Sequence, residues 1–552
     1  MRIRLIVLAS TTVAAVLVGA AFAARGAKTL GPGLACADVA GSVGLDFRGD
    51  YGPVLPSQDA YGTLMQQNMG NGAAVGDYDA DGYLDVLLLG QAGHPSRLFH
   101  NVAAADGSRR FEVVTQAAGL AGVTANARVA QFVDLNGTGR PDLVIAADYW
   151  PGGPEGGSRI FRNNGDGTFT DLTAGSGFDP SGYIVGGMTF ADYDGSGRQS
   201  IWLSYWTAEV AGDPGRTVVK GQFPGHNRLY RNLGGYHFAD VTDSIGIEEY
   251  HADSFSAIFS DFTGDGLPDI YQANDHRPDR FYENIGGGRF RDPGYIDGLT
   301  RAGNSMGVAT TVGGDGRLEL FITNITDPDG LFGSNIGNTY MLSGQDQGGI
   351  HFRNAAADYG ILDTAWGWGA SFVDMDLDGI PDLYAVQGMR AFVKDDSPHL
   401  ASATSTLFLG REPGPALLKA GPATGCDIPG DQRALVVFDY DRDGSPDLLI
   451  TQVAGPTVLL KNYTAGRHWL TVAPAGRGDA GIDARVSVTA AGRTTEQVLL
   501  AGGSYLAGPP RELYFGLGAA ATADLVRIEW ANGTTTELRD VTADQVLRVE
   551  RG

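Results

Sequence analysis

The chain has 552 residues, too many for one ordinary hydrophobic core, and its 82 glycines and 25 prolines indicate many turns rather than long helices. Glycine interrupts nearly every apolar stretch and helical periodicity is absent beyond the N-terminus, which predicts an all-β fold. The formal charge of −24 argues against a nucleic-acid partner, because the phosphate backbone would be repelled, and it fits divalent cations or simple solubility.

The N-terminus resembles a targeting signal. Residues 1–24 combine a basic start, an apolar run and the small-x-small sequence Ala21-Phe22-Ala23. This pattern predicts a secretory signal peptide, and therefore a secreted protein that is extracellular or periplasmic. The alternative is an uncleaved N-terminal membrane anchor, because the apolar run is nearly long enough to span a bilayer. The sequence GLAC at 33–36 is a poor lipobox, since Cys36 lies well past the apolar run.

A nine-residue acidic motif occurs seven times along the chain. We call its copies loops 1 to 7 and the repeats that contain them units 1 to 7. The loops are DYDADGYLD at 77–85, DLNGTGRPD at 134–142, DYDGSGRQS at 192–200, DFTGDGLPD at 261–269, TVGGDGRLE at 311–319, DMDLDGIPD at 374–382 and DYDRDGSPD at 439–447. Successive copies start 50 to 69 residues apart, so each copy marks one supersecondary unit.

Strand-like segments flank the loops. An upstream segment such as FEVVTQAAGL at 111–120 combines a strand and a turn, and downstream strands such as RLFHN at 97–101 and VLLKN at 458–462 follow. Four short strands per unit predict a seven-bladed β-propeller over residues 25–462. An open β-solenoid is the alternative. Seven units and an N-terminal strand able to pair with the last blade favour the closed ring.

The loop chemistry predicts a cation site. A complete loop offers carboxylates at positions one, three, five and nine, a backbone carbonyl at position seven, and glycine at position six for the sharp bend. Ca²⁺ prefers six to eight oxygen ligands, which such a loop and water can supply. An EF-hand would need a glutamate at position twelve and a following helix, whereas a strand follows here. A catalytic acid–base pair is a poor alternative, because the cluster recurs. We therefore expect about four to six Ca²⁺ sites.

The seven loops differ in their ligand sets. Loops 1, 6 and 7 are complete, with Asp77, Asp79, Asp81, Tyr83 and Asp85; Asp374, Asp376, Asp378, Ile380 and Asp382; and Asp439, Asp441, Asp443, Ser445 and Asp447. Loops 4, 2 and 3 are weaker, with Asp261, Thr263, Asp265, Leu267 and Asp269; Asp134, Asn136, Thr138 and Asp142; and Asp192, Asp194 and Ser196. Loop 5 retains only Asp315 and Glu319 and is interpreted as a polar turn, and for loop 3 the metal and turn interpretations both stay open.

A second candidate surface lies where the strands after the loops end. These ends, five residues after each loop, are Gly90, Ala147, Tyr205, Asn274, Asn324, Gln387 and Gln452. In a propeller they converge on one face, where a ring of amides could hold a sugar or a peptide. The favoured alternative is that the amides cap neighbouring strands. No HExxH, GxSxG or CxxC motif is present, so no catalytic residue is assigned.

Residues 463–552 have a different pattern. Apolar and polar residues alternate in about six short runs, including HWLTV at 468–472 and VRIEW at 526–530, which predicts a small β-sandwich or barrel. Four of its side chains could form a binding surface, although core or interdomain packing is the preferred interpretation: His468, Trp469, Tyr505 and Trp530.

These motifs resemble known families. The loops resemble FG-GAP/VCBS repeats, as in the integrin α-subunit propeller, whose aspartate loops bind Ca²⁺. AGGSYLAGPPRELYFGLG at 501–518 and VRIEWANGTTTEL at 526–538 resemble an ASPIC/UnbV domain, although Ala531 stands where that family has proline. The combination is similar to the bacterial relatives of cartilage acidic protein over almost the whole mature chain. Because such proteins range from matrix proteins to products encoded beside enediyne biosynthesis genes, the resemblance implies more about fold than about function.

The chain has two cysteines, Cys36 and Cys426, and two in an exported protein permit one disulfide. In a closed ring the first and last units are neighbours, so we predict that these cysteines form a disulfide across that junction. Two free thiols, or lipidation of Cys36, are the alternatives.

Three functional hypotheses remain. The first is an exported, calcium-stabilised propeller that binds a protein or glycan partner as an adhesion or scaffold protein. The second is an enzyme, for example in natural-product biosynthesis, with a pocket on the propeller face or axis and with calcium structural or substrate-positioning. The third is a purely structural surface protein. Converging acid and base groups in a pocket would favour the enzyme, and a broad apolar or aromatic face would favour binding.

Overall fold

In the computed structural model the chain consists of short strands joined by tight turns. The described residues, to which every structural statement below refers, are 33–49, 68–91, 94–123, 126–148, 157–180, 184–206, 227–247, 253–293, 298, 302–330, 337–346, 349–389, 397–401, 404–411, 417–479 and 481–551. The predicted signal peptide at 1–24 lies outside them. None of the described helices has the length and hydrophobicity that a bilayer span requires.

The repeat units supply the first twenty-nine strands. They are β1 (Cys36–Asp38), β2 (Ala73–Gly76), β3 (Asp85–Leu88), β4 (Arg97–Ala103), β5 (Arg109–Val113), β6 (Ala127–Val133), β7 (Asp142–Ala147), β8 (Arg159–Asn163), β9 (Phe169–Asp171), β10 (Val185–Ala191), β11 (Ser200–Tyr205), β12 (Arg228–Gly234), β13 (His237–Asp240), β14 (Ser254–Ser260), β15 (Asp269–Pro278), β16 (Arg280–Asn284), β17 (Phe290–Arg291), β18 (Ala302–Asn304), β19 (Val308–Val312), β20 (Leu318–Ile322), β21 (Thr339–Asp346), β22 (Gly349–Asn354), β23 (Gly367–Val373), β24 (Asp382–Gln387), β25 (Thr406–Leu409), β26 (Leu418–Lys419), β27 (Gln432–Phe438), β28 (Asp447–Gln452) and β29 (Val458–Asn462). Three one-turn helices lie between them, at Thr242–Ser244, Pro398–Ala401 and Pro422–Thr424.

Within the described residues these strands form seven antiparallel sheets, which we call repeat sheets 1 to 7. Their strand orders are β2-β3-β4-β5, β6-β7-β8-β9, β10-β11-β12-β13, β14-β15-β16-β17, β19-β20-β21-β22, β23-β24-β25-β26 and β27-β28-β29-β1, with β18 added to β15. The first strands of successive sheets contact each other in a cycle, since β27 returns to β2. The all-β prediction is confirmed, and this cycle, which we call the ring, is consistent with the predicted propeller.

The N-terminal strand completes the last repeat sheet. Strand β1 pairs antiparallel with β29, so that Cys36 lies opposite Asn462. The structure joins Cys36 to Cys426 in a disulfide with the Cα atoms 4.9 Å apart, a separation that falls within the range of disulfides. The upstream segment of each unit therefore belongs to the preceding sheet. In the sequence, unit 7 has no clear upstream segment of the kind seen at 111–120, and its counterpart in the structure is the two-residue strand β26.

The first strand of repeat sheet 1 consists of small side chains and packs closely against the next sheet. All four residues of β2 are buried. A Cβ placed at Gly76 would lie 2.9 Å from the Phe132 ring of the next sheet, which shows how closely the neighbouring sheets approach. Apolar side chains from adjacent sheets fill the space between them.

The C-terminal domain, residues 463–551, is a small β-sandwich. Its strands are β30 (His468–Ala475), β31 (Arg485–Ala490), β32 (Arg493–Val498), β33 (Ala507–Gly508), β34 (Leu513–Gly518), β35 (Thr522–Glu529), β36 (Thr535–Thr542) and β37 (Gln545–Glu550). Sheets β34-β30-β37 and β32-β31-β35-β36 enclose a shared core that includes Leu470, Val486, Phe515 and Val526. The alternation seen in the sequence thus predicts this domain correctly.

One segment of this domain, residues 501–510, enters the ring, and we call it the plug. Its strand β33 pairs parallel with β2 of repeat sheet 1. The carbonyl oxygen of Ala501 accepts a hydrogen bond from the Phe190 N–H at 3.1 Å, and Ser504 Oγ accepts one from the Ala370 N–H at 3.2 Å. A Cβ at Gly508 would lie 2.2 Å from the Ala130 carbonyl oxygen. The plug therefore contacts first strands around the ring and occupies its axis.

Candidate functional site

The predicted role of glycine at position six of the loops is confirmed. In all seven loops this glycine has a positive φ of 75° to 89°, in the region that favours glycine. Its N–H donates to the carboxylate at position one wherever that residue is aspartate, at 2.7 to 3.1 Å. The first aspartate of each such loop therefore holds the turn closed as well as facing its interior.

The aspartate at position nine has a structural role that the sequence did not reveal. In loop 7, Asp447 is fully buried and accepts the N–H of Tyr440 at 3.2 Å and that of Asn462 at 2.8 Å. It therefore fastens the start of its loop to the third strand of its sheet. The same pair of bonds is made in loops 1, 2, 4 and 6 by Asp85, Asp142, Asp269 and Asp382.

An asparagine that ends the motif of the third strand links neighbouring sheets. Asn232 is fully buried, and its side-chain amide donates to the carbonyl oxygen of Leu135 in loop 2 at 2.9 Å and to that of Gln199 at 3.1 Å. Equivalent bonds to position two of the preceding loop are made by Asn101, Asn163, Asn284 and Asn462. The recurrence of asparagine in RLFHN, RIFRN, RLYRN, RFYEN and VLLKN was the signal for this role.

Three loops bring enough acidic groups together to hold a metal ion. Each of these groups has one ligand atom per residue within 4.8 Å of the others: Asp77, Asp79 and Asp81; Asp79, Asp85 and His100; Asp374, Asp376 and Asp382; and Asp439, Asp441 and Asp447. These are the loops that the sequence shows to be complete. Among the described residues, the acids of loops 2 to 5 form no such group.

The carboxylates in these loops are costly to ionise. Burial raises the pKa of Asp77 to about 6, and the charges of Asp81 and Asp79 add to this effect. Burial likewise raises the pKa values of Asp374 and Asp439 to about 7. Because a bound cation would favour the ionised form, a cation site at these positions is chemically reasonable.

Among the described residues, the acids of loop 1 have no lysine or arginine partner and are accessible. Among the described residues its acids form ion pairs only with His100, whose Nδ1 lies 2.9 Å from Asp85 and 3.6 Å from Asp79. A cleft of about 470 Å³ between loops 1 and 2 and the C-terminal domain reaches Asp77 and Asp79, so an ion has access. Asp77, Asp79 and Asp81 supply the hard oxygen donors that Ca²⁺ prefers, and they fit this ion.

Loops 6 and 7 are different, because basic side chains already contact their carboxylates. In loop 7, Lys461 Nζ donates to Asp441 and to Asp443. In loop 6, Arg467 Nη1 lies 2.9 Å from an oxygen of Asp376. In both loops a cationic side chain therefore already contacts the carboxylates, which distinguishes them from loop 1.

The weaker loops use their polar groups for other contacts. In loop 2, Asp134 accepts the N–H of Gly478 at 2.9 Å. In loop 3, Asp194 pairs with Arg231 at 2.6 Å. In loop 5, Glu319 accepts the hydroxyl of Tyr340, which agrees with a structural turn.

Loop 4 and the position-seven residues remain candidates. Asp261 accepts three N–H groups of its own loop, including that of Asp265 at 3.1 Å, and Thr263 Oγ1 lies 3.5 Å from it. The N–H at position seven donates to the aspartate at position five in five loops, through Tyr83, Leu267, Arg317, Ile380 and Ser445, at 2.8 to 3.1 Å.

The C-terminal domain packs against the face of the ring that carries the loops. Thr495 Oγ1 donates to the carbonyl oxygen of Gly379 in loop 6 at 3.0 Å. A Cβ at Gly444 of loop 7 would lie 1.9 Å from the indole of Trp469. The loops are therefore part of an interface between the two domains.

The aromatic side chains considered as a binding surface are mainly packing residues. Tyr505 and Trp530 are only 1% and 3% exposed. Trp469 packs on loop 7, and His468 Nδ1 pairs with Asp544 at 2.7 Å. The favoured packing interpretation therefore describes Tyr505, Trp530 and Trp469, and His468 is the exception.

The strand-end residues on the opposite face are buried, and their amides act as caps. Asn274 accepts the Ser254 hydroxyl at 2.7 Å, and Asn324 accepts the Asn304 N–H at 2.7 Å. The Gln452 side chain donates to the Pro456 carbonyl oxygen at 2.9 Å. These bonds agree with the favoured interpretation of the amides as caps. The plug lies on the axis, and a pocket of about 160 Å³ is lined by the plug and by first-strand residues that include Val308, Ala370 and Leu435.

Comparison with known proteins agrees with this architecture. The family model described as ASPIC and UnbV matches residues 475–552, and that described as FG-GAP-like repeat matches 77–145, 134–203 and 261–322. Cartilage acidic protein 1 of Mus musculus is 24% identical over 505 residues, covering 87% of this chain and 73% of that protein. The Homo sapiens protein of the same name is 23% identical over 488 residues, covering 84% and 69%.

A solved structure with partial similarity is BBS1N in complex with ARL6DN. It is 9% identical, with a TM-score of 0.38, and the match covers 75% of this chain and 96% of that one. At this score the match carries no argument about fold or function.

Proposed function

We propose, on the premise that the chain carries FG-GAP-like repeats followed by an ASPIC and UnbV domain, that it is an exported calcium-binding protein. In this proposal it acts as a binding, adhesion or scaffold protein for a protein or glycan partner. The signal-like N-terminal sequence supports export. The resemblance of its repeats to those of integrin α subunits supports the binding role.

The observation that carries the calcium proposal is the geometry of loop 1. Asp77, Asp79 and Asp81 converge there, the cleft gives an ion access, and no lysine or arginine pairs with them among the described residues. Calcium bound at this loop would bring together three carboxylates that otherwise repel, so it would stabilise the folded chain. A ligand that binds only the folded state at 100 times its Kd stabilises by about 2.7 kcal/mol.

The calcium proposal is tested by melting and by stoichiometry. We expect chelator-treated mature protein to bind calcium in a calorimetric titration, and its Tm to rise by a few degrees in calcium. The double variant Asp79→Asn, Asp81→Asn should lose one equivalent and most of the Tm rise, whereas Asp524→Asn, an exposed acid elsewhere, should match the wild type. Equal binding by the loop 1 variant and the wild type would contradict the proposal.

The partner proposal needs its own experiment. Labelled protein is applied in calcium and in chelator to an array of glycans and to a panel of immobilised extracellular proteins. We expect saturable, calcium-dependent binding to one of these two classes, weakened in the loop 1 variant. Absence of saturable binding to both classes would contradict the partner role and leave the calcium result unaffected.

A further inference from the structure

In three of the repeat sheets, the side chain that precedes the third-strand asparagine contacts the acidic loop of its own sheet. In loop 1 this residue is His100, which contacts Asp85, and in loop 3 it is Arg231, which contacts Asp194. In loop 7 it is Lys461. In these three sheets the same position therefore lets a side chain contact the acidic loop, and the residue type at that position differs between them.

Lys461 is the clearest example of this arrangement. Its side chain is 11% exposed, and its ammonium group contacts Asp441 and lies 2.8 Å from Asp443. The rings of Tyr440 and Tyr463 flank the ammonium at 5.1 and 5.6 Å, within the range of cation–π attraction. These contacts place the ammonium where a cation held by the carboxylates at positions three and five would have to sit.

In loop 6, basic groups also contact the carboxylates, but they come from different positions. Leu409 and Gly410 stand where other units have a basic residue and asparagine, and Arg411 follows, 3.3 Å from Asp376 and 3.5 Å from Asp378. A second guanidinium comes from Arg467, which precedes the first strand of the C-terminal domain and bonds to a side-chain oxygen and the carbonyl oxygen of Asp376. The negative charge of loop 6 is thus balanced by two arginines.

These contacts also hold the two domains together. Arg467 connects loop 6 to the start of the C-terminal domain, and Trp469 packs on loop 7 two residues later. In loop 7, Arg442 makes two hydrogen bonds to Glu512 at 2.7 and 2.8 Å. Loops 6 and 7 therefore serve as docking sites for the C-terminal domain.

We infer that Lys461, and Arg411 with Arg467, replace calcium in loops 7 and 6. These loops are salt-bridged docking sites and not metal sites, although their carboxylate sets are complete. A dication and an ammonium group cannot share the same carboxylates without strong repulsion. Calcium would have to displace a largely buried side chain from all its partners. The inference rests on the proposed function only because calcium is the ion used as the probe in both tests.

The test is to remove the built-in cation and count calcium ions. Chelator-treated mature chain is titrated with calcium by calorimetry for the wild type, Lys461→Met, the exposed-lysine control Lys419→Met, and Asp441→Asn. Methionine keeps the length and the apolar stem of lysine. We expect Lys461→Met to bind one equivalent more than the wild type, and Lys419→Met and Asp441→Asn to bind the same number as the wild type.

The outcomes separate the inference from the proposed function. A Lys461→Met protein that folds but gains no equivalent would overturn the inference, as would loss of one equivalent in Asp441→Asn. If Lys461→Met requires calcium in order to fold, folding of this variant on addition of calcium would support the inference. If the variant does not fold in calcium either, the stoichiometry of Asp441→Asn decides between the two outcomes. Failure of calcium to bind loop 1 would show separately, as an unchanged stoichiometry in the Asp79→Asn, Asp81→Asn variant.

Discussion

Removing the aromatic side chain of the plug should uncouple the two domains. Tyr505 is 1% exposed, and its ring centroid lies 4.8 Å from that of Trp368 and 5.5 Å from that of Phe255. Its hydroxyl donates to the Met69 carbonyl oxygen at 3.0 Å. All three partners belong to the ring. Truncating a buried aromatic ring to alanine costs about 3–5 kcal/mol and losing the hydrogen bond costs about 1 kcal/mol, so Tyr505→Ala should cost about 4–6 kcal/mol.

Two further variants divide this loss into its parts. Tyr505→Phe keeps the ring and should cost about 1 kcal/mol, while Tyr463→Ala, at a site 49% exposed, should cost less than about 1 kcal/mol. Urea unfolding followed by tryptophan fluorescence gives the free energies, because Trp368 reports on the plug. We also expect Tyr505→Ala to show an earlier, separate transition of the C-terminal domain. A loss below about 2 kcal/mol in Tyr505→Ala would refute the packing described for the plug.

Two other predictions concern closure of the ring. Replacing Cys36 by alanine opens a loop that spans 390 residues, and the chain-entropy model then gives a loss of up to about 6 kcal/mol in the free energy of unfolding. Urea unfolding of oxidised protein measures this loss. Two free thiols in the intact mass of the wild type would contradict the bridge. Asn232→Ala leaves the Leu135 and Gln199 carbonyl oxygens without this buried donor and should cost about 2–3 kcal/mol by the same assay, so a loss below about 1 kcal/mol would contradict the link between sheets.

The repeated part of the fold could be read from the sequence because its signals are local and recur. Glycine at position six has the positive φ that the bend needs in every loop. The spacing of the loops predicts one sheet per unit, and alternation in residues 468–472 and 526–530 predicts strands of the C-terminal sandwich. The sequence did not show which sheet each upstream segment joins. Each upstream segment completes the sheet before it, since β1 pairs with β29.

The candidate site was only partly predictable, because its decisive contacts join residues far apart in the chain. Loop 6 looks complete in isolation, but Arg467 reaches Asp376 from 91 residues away. The plug contacts first strands such as β2 and β23 from more than a hundred residues away. Composition and spacing within one unit contain no information about which basic side chain arrives at a loop. Lys461 is the exception, because it stands beside the repeated asparagine, where a comparison of the seven units could have found it.

One guanidinium connects loop 7 with loop 1 and with the C-terminal domain. Arg442, at position four of loop 7, donates to the carbonyl oxygen of Gly82 in loop 1 from two nitrogens, at 3.0 and 2.8 Å, and it also forms the double hydrogen bond to Glu512 of the C-terminal domain. Gly82 is the residue whose N–H closes the turn of loop 1 onto Asp77. On the calcium proposal, an ion that held Asp77 and its neighbours in place would also hold the carbonyl oxygen to which Arg442 binds. Calcium at loop 1 and docking of the C-terminal domain would then favour the same conformation of loop 1.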